Sequence, residues 1–200
     1  MKAIKRGVSP ESVNFRSNRN IMILGDKAIK EYLAQGKGVI GYKEEHINPN
    51  SVDLTLNENY SIYRNSRLDC RAENEVVKLK MDDSLLLMPG LLYLATTNET
   101  LDLSPMDYQK TICARVEGKS SLGRLGLFVH ITAGWIDAGF NGSLVLELTV
   151  VQPLLIYPNM KICQIAFMES TEVEKHYGEK EGSKYQNQIG AQESKMHKNF

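Results

Sequence analysis

Residues 143–150 read SLVLELTV, a run in which leucine and valine recur between smaller or polar residues. Similar short apolar runs fill most of the chain, at residues 51–56, 77–81, 91–95, 111–116, 126–131 and 161–168. Turn-forming pairs separate them, among them Pro89-Gly90 and Asn141-Gly142. Many short strands at this spacing predict a mainly β fold, either a sandwich or a barrel.

One short helix is predicted near the amino end, at residues 26–34 (DKAIKEYLA). Asp26 is placed to cap the first turn, and Gly36 is placed to end the helix. Ile29 and Leu33 lie four residues apart and therefore share the face expected to enter the core.

Charge and hydrophobicity argue against two classes of partner. Lysine plus arginine number 24, as do aspartate plus glutamate, so the formal net charge is zero. A neutral chain is not a general polyanion binder, and we expect no nucleic acid partner. No apolar run reaches the roughly 20 residues of a membrane span, so no membrane partner is expected either.

Three cysteines occur, Cys70, Cys113 and Cys163, with no CxxC pair among them. Their odd number and wide spacing predict reduced thiols in the interior of a cytoplasmic protein. Composition further divides the chain into three parts. We expect a flexible, basic arm at residues 1–21, a β domain at 22–170, and a polar tail at 171–200 that is either disordered or acts as a lid.

Residues 117–126 (EGKSSLGRLG) are the densest group of polar residues that could bind an anion. Glycines let backbone N–H groups approach, hydroxyls donate hydrogen bonds, and Lys119 and Arg124 add positive charge. The spacing is not that of a Walker A loop. On composition alone, the segment fits a phosphate site or a solvated basic turn.

Two further segments carry possible catalytic groups. Glu147 stands between leucines, and alternation by itself favours an exposed side chain. A buried position would instead raise its pKa and make it a candidate general base. Asp137, in the glycine-bounded turn at residues 130–140, fits a turn residue or a carboxylate that contacts a sugar. His130 is interpreted as a structural, hydrogen-bonded histidine.

Five segments in order resemble the dCTP deaminase family, a branch of the dUTPase-like superfamily, from about Met22 to about Gln192. They are INPNSVDL (47–54), GKSSLGRLG (118–126), HITAGWIDAGF (130–140) followed by Leu146-Glu147, ICQIAF (162–167) and KYQNQIG (184–190). The resemblance implies a dUTPase-like β-barrel or jelly roll with a short N-terminal helix. It also implies a homotrimer with active sites between subunits.

The resemblance assigns catalytic roles to three side chains. It implies that Glu147 is the base that activates water at cytosine C4, with Ser120 and Arg124 positioning the water and the base. The backbone at Ala133 would hold the water and read the pyrimidine edge, and Asp137 would accept a hydrogen bond from the 3′-hydroxyl. No zinc is implied, because the HxE and PCxxC segments of zinc deaminases are absent.

The resemblance also implies how dCTP or dUTP is bound, with dTTP as a possible inhibitor. Mg²⁺ would be held mainly by the phosphates. Lys119 replaces the arginine that the family usually has, which keeps the charge but loses a bidentate fork. The implied triphosphate ligands are Lys119, Ser120, Ser121 and Gln164, with Tyr177, Lys184 and Gln188 closing from the tail. Arg124 is also implied to contact the substrate.

Three functions remain open at this point. Gly134 and Trp135 resemble the branch that also cleaves dUTP to dUMP and pyrophosphate, and a small Gly134 is expected to leave room beside the pyrimidine. The alternatives are a deaminase that releases dUTP and a non-catalytic nucleotide-binding regulator on the same fold.

Overall fold

A computed structural model describes residues 22–105 and 111–200, and they form a mainly β fold as predicted. The arm expected at residues 1–21 lies outside the described residues. Short 3₁₀ turns occur at Glu44–His46, Tyr177–Glu179 and Met196–Asn199. The described helices and strands are β1 (Met22–Ile23), α1 (Asp26–Leu33), β2 (Gly38–Ile40), β3 (Ile47–Asn48), β4 (Ser51–Tyr63), β5 (Val76–Lys80), β6 (Leu85–Leu87), β7 (Tyr93–Asp102), β8 (Thr111–Gly118), α2 (Ser120–Gly123), β9 (Leu127–Phe128), β10 (Trp135–Ile136), β11 (Asn141–Val150), β12 (Leu154–Ile156) and β13 (Lys161–Ser170).

The strands form one curled antiparallel sheet with a separate two-stranded sheet beside it. The main order is β10-β8-β13-β4-β7-β11-β9, and β6 pairs only with β12. The 13-residue strand β4 pairs with both β13 and β7 and therefore links the two halves of the main sheet. The core lies on the concave side, where alternate residues of these strands are fully buried, among them Val52, Leu54, Leu146 and Leu148.

Helix α1 packs on this core through the face that the sequence predicts. Ile29 and Leu33 are buried, and the Tyr32 ring meets Phe167 of β13 edge-on at 5.4 Å. The expected cap at Asp26 is wrong. Gly25 is the N-cap, in extended conformation, and Asp26 is the first helical residue.

The strand expected at residues 126–131 is much shorter than predicted. Only Leu127 and Phe128 pair with β11, although the backbone nitrogen of Glu147 still donates to the Val129 carbonyl at 3.0 Å. The chain then bends through residues 130–134. This bend turns the polar segment away from the ladder and towards a cavity.

The cysteine prediction is confirmed at two positions and wrong at one. Cys113 and Cys163 are buried, but Cys70 is exposed, and all three are free. Burial raises the pKa of both interior thiols. Among the residues that the structure describes, no helix is both long and apolar enough to cross a membrane.

The tail at residues 171–200 packs against β11 and the turn before it. The Ser143 backbone nitrogen donates to the Gln188 carbonyl at 2.9 Å, and the Gln188 amide nitrogen donates to the Ser143 carbonyl at 2.8 Å. The Tyr177 ring lies 5.7 Å from that of Phe140. The tail therefore covers one end of the domain, next to the cavity.

Truncation of a core leucine on β11 should destabilise the fold strongly. Leu146 is fully buried, so Leu146→Ala should lower the free energy of unfolding by about 2–5 kcal/mol. Leu79→Ala is the matched control, because Leu79 is 37% exposed on β5 and should lose less than about 1 kcal/mol. Urea unfolding followed by circular dichroism measures both. Equal midpoints for the two variants would contradict this placement of the core.

Candidate active site

A cavity of about 590 Å³ opens where β11, the bend after β9 and the tail meet. Five of the predicted catalytic and substrate-binding residues line it: Ala133, Asp137, Glu147, Tyr177 and Gln188. His130, Trp135, Tyr63 and Glu193 line it as well. The structure therefore brings the expected pyrimidine- and sugar-contacting residues together with part of the tail.

Glu147 reaches the cavity because of the two-residue period of β11. Its neighbours Leu146 and Leu148 point into the core with no exposed surface. Glu147 points the opposite way, and its side chain is 33% exposed. The alternation in the sequence did not decide whether this carboxylate is exposed or buried. The structure shows a half-buried carboxylate on the wall of a cavity.

His130 is the nearest partner of this carboxylate. Its Nδ1 lies 3.2 Å from Glu147 Oε2. With the proton on Nδ1, the hydrogen bond from His130 lowers the pKa of Glu147; burial acts in the opposite direction, and a hydrogen bond from the Ile131 backbone lowers the pKa further. The net shift is downward, so Glu147 is ionised at neutral pH and able to accept a proton.

The role first assigned to His130 was therefore incomplete. It is hydrogen-bonded as expected, but its partner is the candidate base rather than a structural group. Sequence carries little signal for this contact, since the two residues are 17 positions apart and meet only because β9 runs antiparallel to β11.

The glycine at position 134 is required by the backbone, whether or not it also leaves room beside a pyrimidine. A Cβ built there would lie 2.9 Å from the Val116 carbonyl oxygen, closer than real Cβ contacts allow. The Val116 backbone nitrogen in turn donates to the Gly134 carbonyl at 2.9 Å. Gly134 thus lets the turn approach the backbone of β8, and this approach places Ala133 and Trp135 at the cavity.

The tail residues Tyr177 and Gln188 contribute to the wall in different ways. The Tyr177 hydroxyl accepts a hydrogen bond from the Tyr185 backbone nitrogen at 3.2 Å, which ties the tail to itself. Gln188 is buried, and its Oε1 finds no hydrogen-bond partner within the described part of the chain. Lys184 does not line the cavity; its carbonyl accepts from the Lys195 ammonium at 3.0 Å.

The residues of the predicted phosphate block lie outside this cavity, and they include Ser120 and Arg124, which were expected to position the water and the base. Ser120, Ser121 and Arg124 are exposed on and just after α2, the short helix between β8 and β9. Lys119 forms an ion pair with Asp53 on β4. The Gln164 side chain accepts from Ser51 at 2.7 Å and donates to the Gly118 carbonyl at 3.1 Å. The structure therefore divides the predicted site into two groups. One lines the cavity, and the other, called the cationic block below, consists of Lys119, Ser120, Ser121, Arg124 and Gln164.

No group of three or more histidine, cysteine, aspartate or glutamate residues within 22–105 and 111–200 has an arrangement suited to a metal ion. The cavity carboxylates Asp137, Glu147 and Glu193 do not form such a group.

Comparison with known proteins places these features in a family. Residues 23–170 match the family model described as dCTP deaminase-like. A Clostridium botulinum protein named dCTP deaminase, dUMP-forming, is 43% identical over 183 residues, covering 90% of this chain and 99% of its own. A protein of the same name from Dictyoglomus turgidum is 41% identical over 193 residues, covering 90% and 97%.

A solved structure shows the same fold. The 2'-deoxycytidine 5'-triphosphate deaminase from Agrobacterium tumefaciens superposes with a TM-score of 0.60 at 23% identity, covering 76% of this chain and 49% of that one. The match spans about half the length of that structure, and at this identity the likeness shows a shared fold alone. By family model and by identity over most of its length, the chain belongs to the dCTP deaminase-like family.

Proposed function

We propose that this chain deaminates dCTP by hydrolysis and also converts the product dUTP to dUMP and pyrophosphate. The observation that carries the proposal is the Glu147 carboxylate, kept ionised on the wall of a cavity by His130 and the Ile131 backbone. The names of the curated relatives, which specify dCTP deamination with dUMP formation, support the same reaction.

Glu147 has the geometry and the charge of a general base. It takes a proton from a water molecule as the water oxygen bonds to cytosine C4, and passes this proton to N3. Glu147 next takes the proton of the new C4 hydroxyl and delivers it to the amino nitrogen N4. The tetrahedral centre then collapses. The C4=O bond forms, the C4–N4 bond breaks, ammonia leaves, and uracil remains. The backbone near Ala133 orients the water and the pyrimidine edge, and Asp137 accepts from the 3′-hydroxyl.

We infer that a second copy of the chain completes the site, in a homotrimer. Ser120, Ser121 and Arg124 are exposed and do not line the cavity that contains Glu147. A neighbouring copy can supply this block to the open side of the cavity. The interpretation explains why residues implied in one reaction lie in two groups within a single chain.

The triphosphate binds the cationic block, through Lys119, Ser120, Ser121, Arg124 and Gln164, while Tyr177, Lys184 and Gln188 close from the tail. We place Mg²⁺ with the substrate phosphates, because their hard oxygen atoms suit it and it would neutralise their charge. The cytoplasmic location and inhibition by dTTP stay predictions.

Replacing the base should abolish deamination without abolishing binding. Glu147→Gln keeps the size of the side chain and removes its basicity, so kcat for ammonia release from dCTP should fall by about 10²–10⁴. Glu31→Gln, an exposed position on α1, is the matched control and should retain wild-type activity. A Glu147→Gln enzyme within a few-fold of wild type would refute the mechanism.

The pH profile should report the contact between His130 and Glu147. A lowered pKa means that the carboxylate form persists into acid and that activity is lost only as pH falls through that pKa. His130→Ala removes the largest cause of the lowering, so the acid limb of kcat/KM for dCTP should move to higher pH. His197→Ala, outside the cavity, is the control. Coincident acid limbs for His130→Ala and wild type would exclude this role of His130.

Product analysis decides whether dUTP is cleaved. In a single turnover with dCTP and Mg²⁺, wild-type protein should yield ammonia, dUMP and pyrophosphate. Trp135, 56% exposed at the cavity, can be altered without the backbone collision that any side chain at 134 would cause. Trp135→Arg should depress dUMP formation about tenfold more than deamination, equivalent to about 1.4 kcal/mol on one barrier. Trp135→Phe is the control.

Release of dUTP alone from dCTP, with no hydrolysis of added dUTP in the presence of Mg²⁺, would leave a deaminase that stops at dUTP. Nucleotide binding without either product would favour the regulatory alternative.

A further inference from the structure

We propose that Lys161 is a further phosphate-binding residue of the nucleotide site, held beside Lys119 by the buried carboxylate of Asp53. The inference rests on the proposed function, because it extends the cationic block that would bind the triphosphate. Lys161 lies outside the segments GKSSLGRLG and ICQIAF, and nothing in its sequence context singles it out.

Asp53, on β4, binds a cluster of hydrogen-bond donors from other parts of the chain. Its side chain is 4% exposed, and one of its oxygens accepts from Asn48 at 2.8 Å and from Lys119. The other oxygen lies 3.1 Å from the Lys161 ammonium. Burial acts to raise the pKa of Asp53, but hydrogen bonds from Lys119, Lys161 and Asn48 outweigh it, so the net shift is downward. A stable negative charge therefore holds both lysines at one point.

An irregularity in β13 places Lys161 on the same side of the sheet as Gln164. Lys161 lies opposite Thr55, and Gln164 lies opposite Asp53, with a register shift between Lys161 and Cys163. Thr55 and Asp53 are two residues apart on β4 and share a face. Residues directly opposite each other on paired strands also share a face, so Lys161 and Gln164 project to one side although they are three residues apart.

The ammonium of Lys161 retains capacity for a ligand. A lysine has three N–H donors, and within the described residues this one makes a single ion pair, with Asp53. Its side chain is 43% exposed, against 27% for Lys119, while the carboxylate beneath them is not accessible. An approaching anion therefore meets the two ammonium groups before it meets Asp53.

Two other acidic residues near Lys161 are already bound to other groups and do not compete with Asp53 for its ammonium. Glu117, opposite Gln164 on β8, is paired with Arg115. Glu99 is buried and accepts from the Thr55 backbone and hydroxyl at 2.8 and 2.9 Å. Lys161 thus lies at the exposed edge of the cluster that also contains Lys119 and Gln164. A phosphate group bound by those two residues is within the reach of a third donor.

Kinetics with dCTP test the assignment. Lys161→Gln should raise the KM for dCTP about threefold to tenfold, the effect of one partly exposed charge-assisted hydrogen bond, and leave kcat within about twofold. Lys161→Arg should restore KM. The control is Lys80→Gln. Lys80 also forms an ion pair with a carboxylate on β4, that of Glu58, but its side chain is 64% exposed and the pair lies away from Asp53 along the strand. A structural role would instead lower thermal stability and kcat.

Direct binding of inorganic tripolyphosphate, measured by calorimetry, separates this inference from the proposed function. Lys161→Gln should weaken its Kd by the same factor as KM, whether or not the wild-type protein turns over dCTP. Lys161→Met, which keeps the aliphatic stem, replaces Lys161→Gln if that variant does not fold. If Lys161→Gln changes neither the KM for dCTP nor the affinity for tripolyphosphate, the proposal is overturned. If wild-type protein does not turn over dCTP but still binds tripolyphosphate more tightly than Lys161→Gln does, only the proposed function is overturned.

Discussion

The register of β11 is the constraint on which both the core and the candidate site depend. Pairing with β7 sets Leu146 opposite Ala95 and Glu147 opposite Leu94. Since successive side chains point to opposite faces, a slip by one residue would place Glu147 in the core and the leucines in the cavity. Desolvation of an unpaired carboxylate makes that slip costly. The packing of the leucines therefore also positions the base.

The charge state of Glu147 follows from a balance of opposed effects. Half-burial disfavours the carboxylate, while hydrogen bonds from His130 and Ile131 favour it by a larger amount. A base with a low pKa is always ionised near neutral pH but is intrinsically weak. By the same argument, a nucleotide that filled the cavity would remove further water from the carboxylate and act to raise its pKa.

Sequence alone predicted the β class, the helix and the major strands, because alternation and turn residues are local signals. It could not distinguish a cavity wall from a solvent-facing strand at Glu147, since both have the same period. Nor could it find the contact with His130, which depends on long-range pairing. At Lys161, alternation would have grouped the lysine with buried Cys163. The irregularity that moves it to the face of Gln164 is visible only in the register of β13 with β4.

The division of the site into two groups has an electrostatic consequence for how a nucleotide lies. Three acids, Asp137, Glu147 and Glu193, line the cavity, and no lysine or arginine is among its lining residues within the described chain. Lys119, Arg124 and Lys161 instead lie at the exposed block. A triphosphate is repelled by the former group and attracted by the latter, with energies that grow as water is excluded. In the proposed complex, the uncharged pyrimidine would therefore enter the cavity beside Glu147, with the phosphates outside it. This polarity would favour one orientation of the nucleotide before any base-specific hydrogen bond is made.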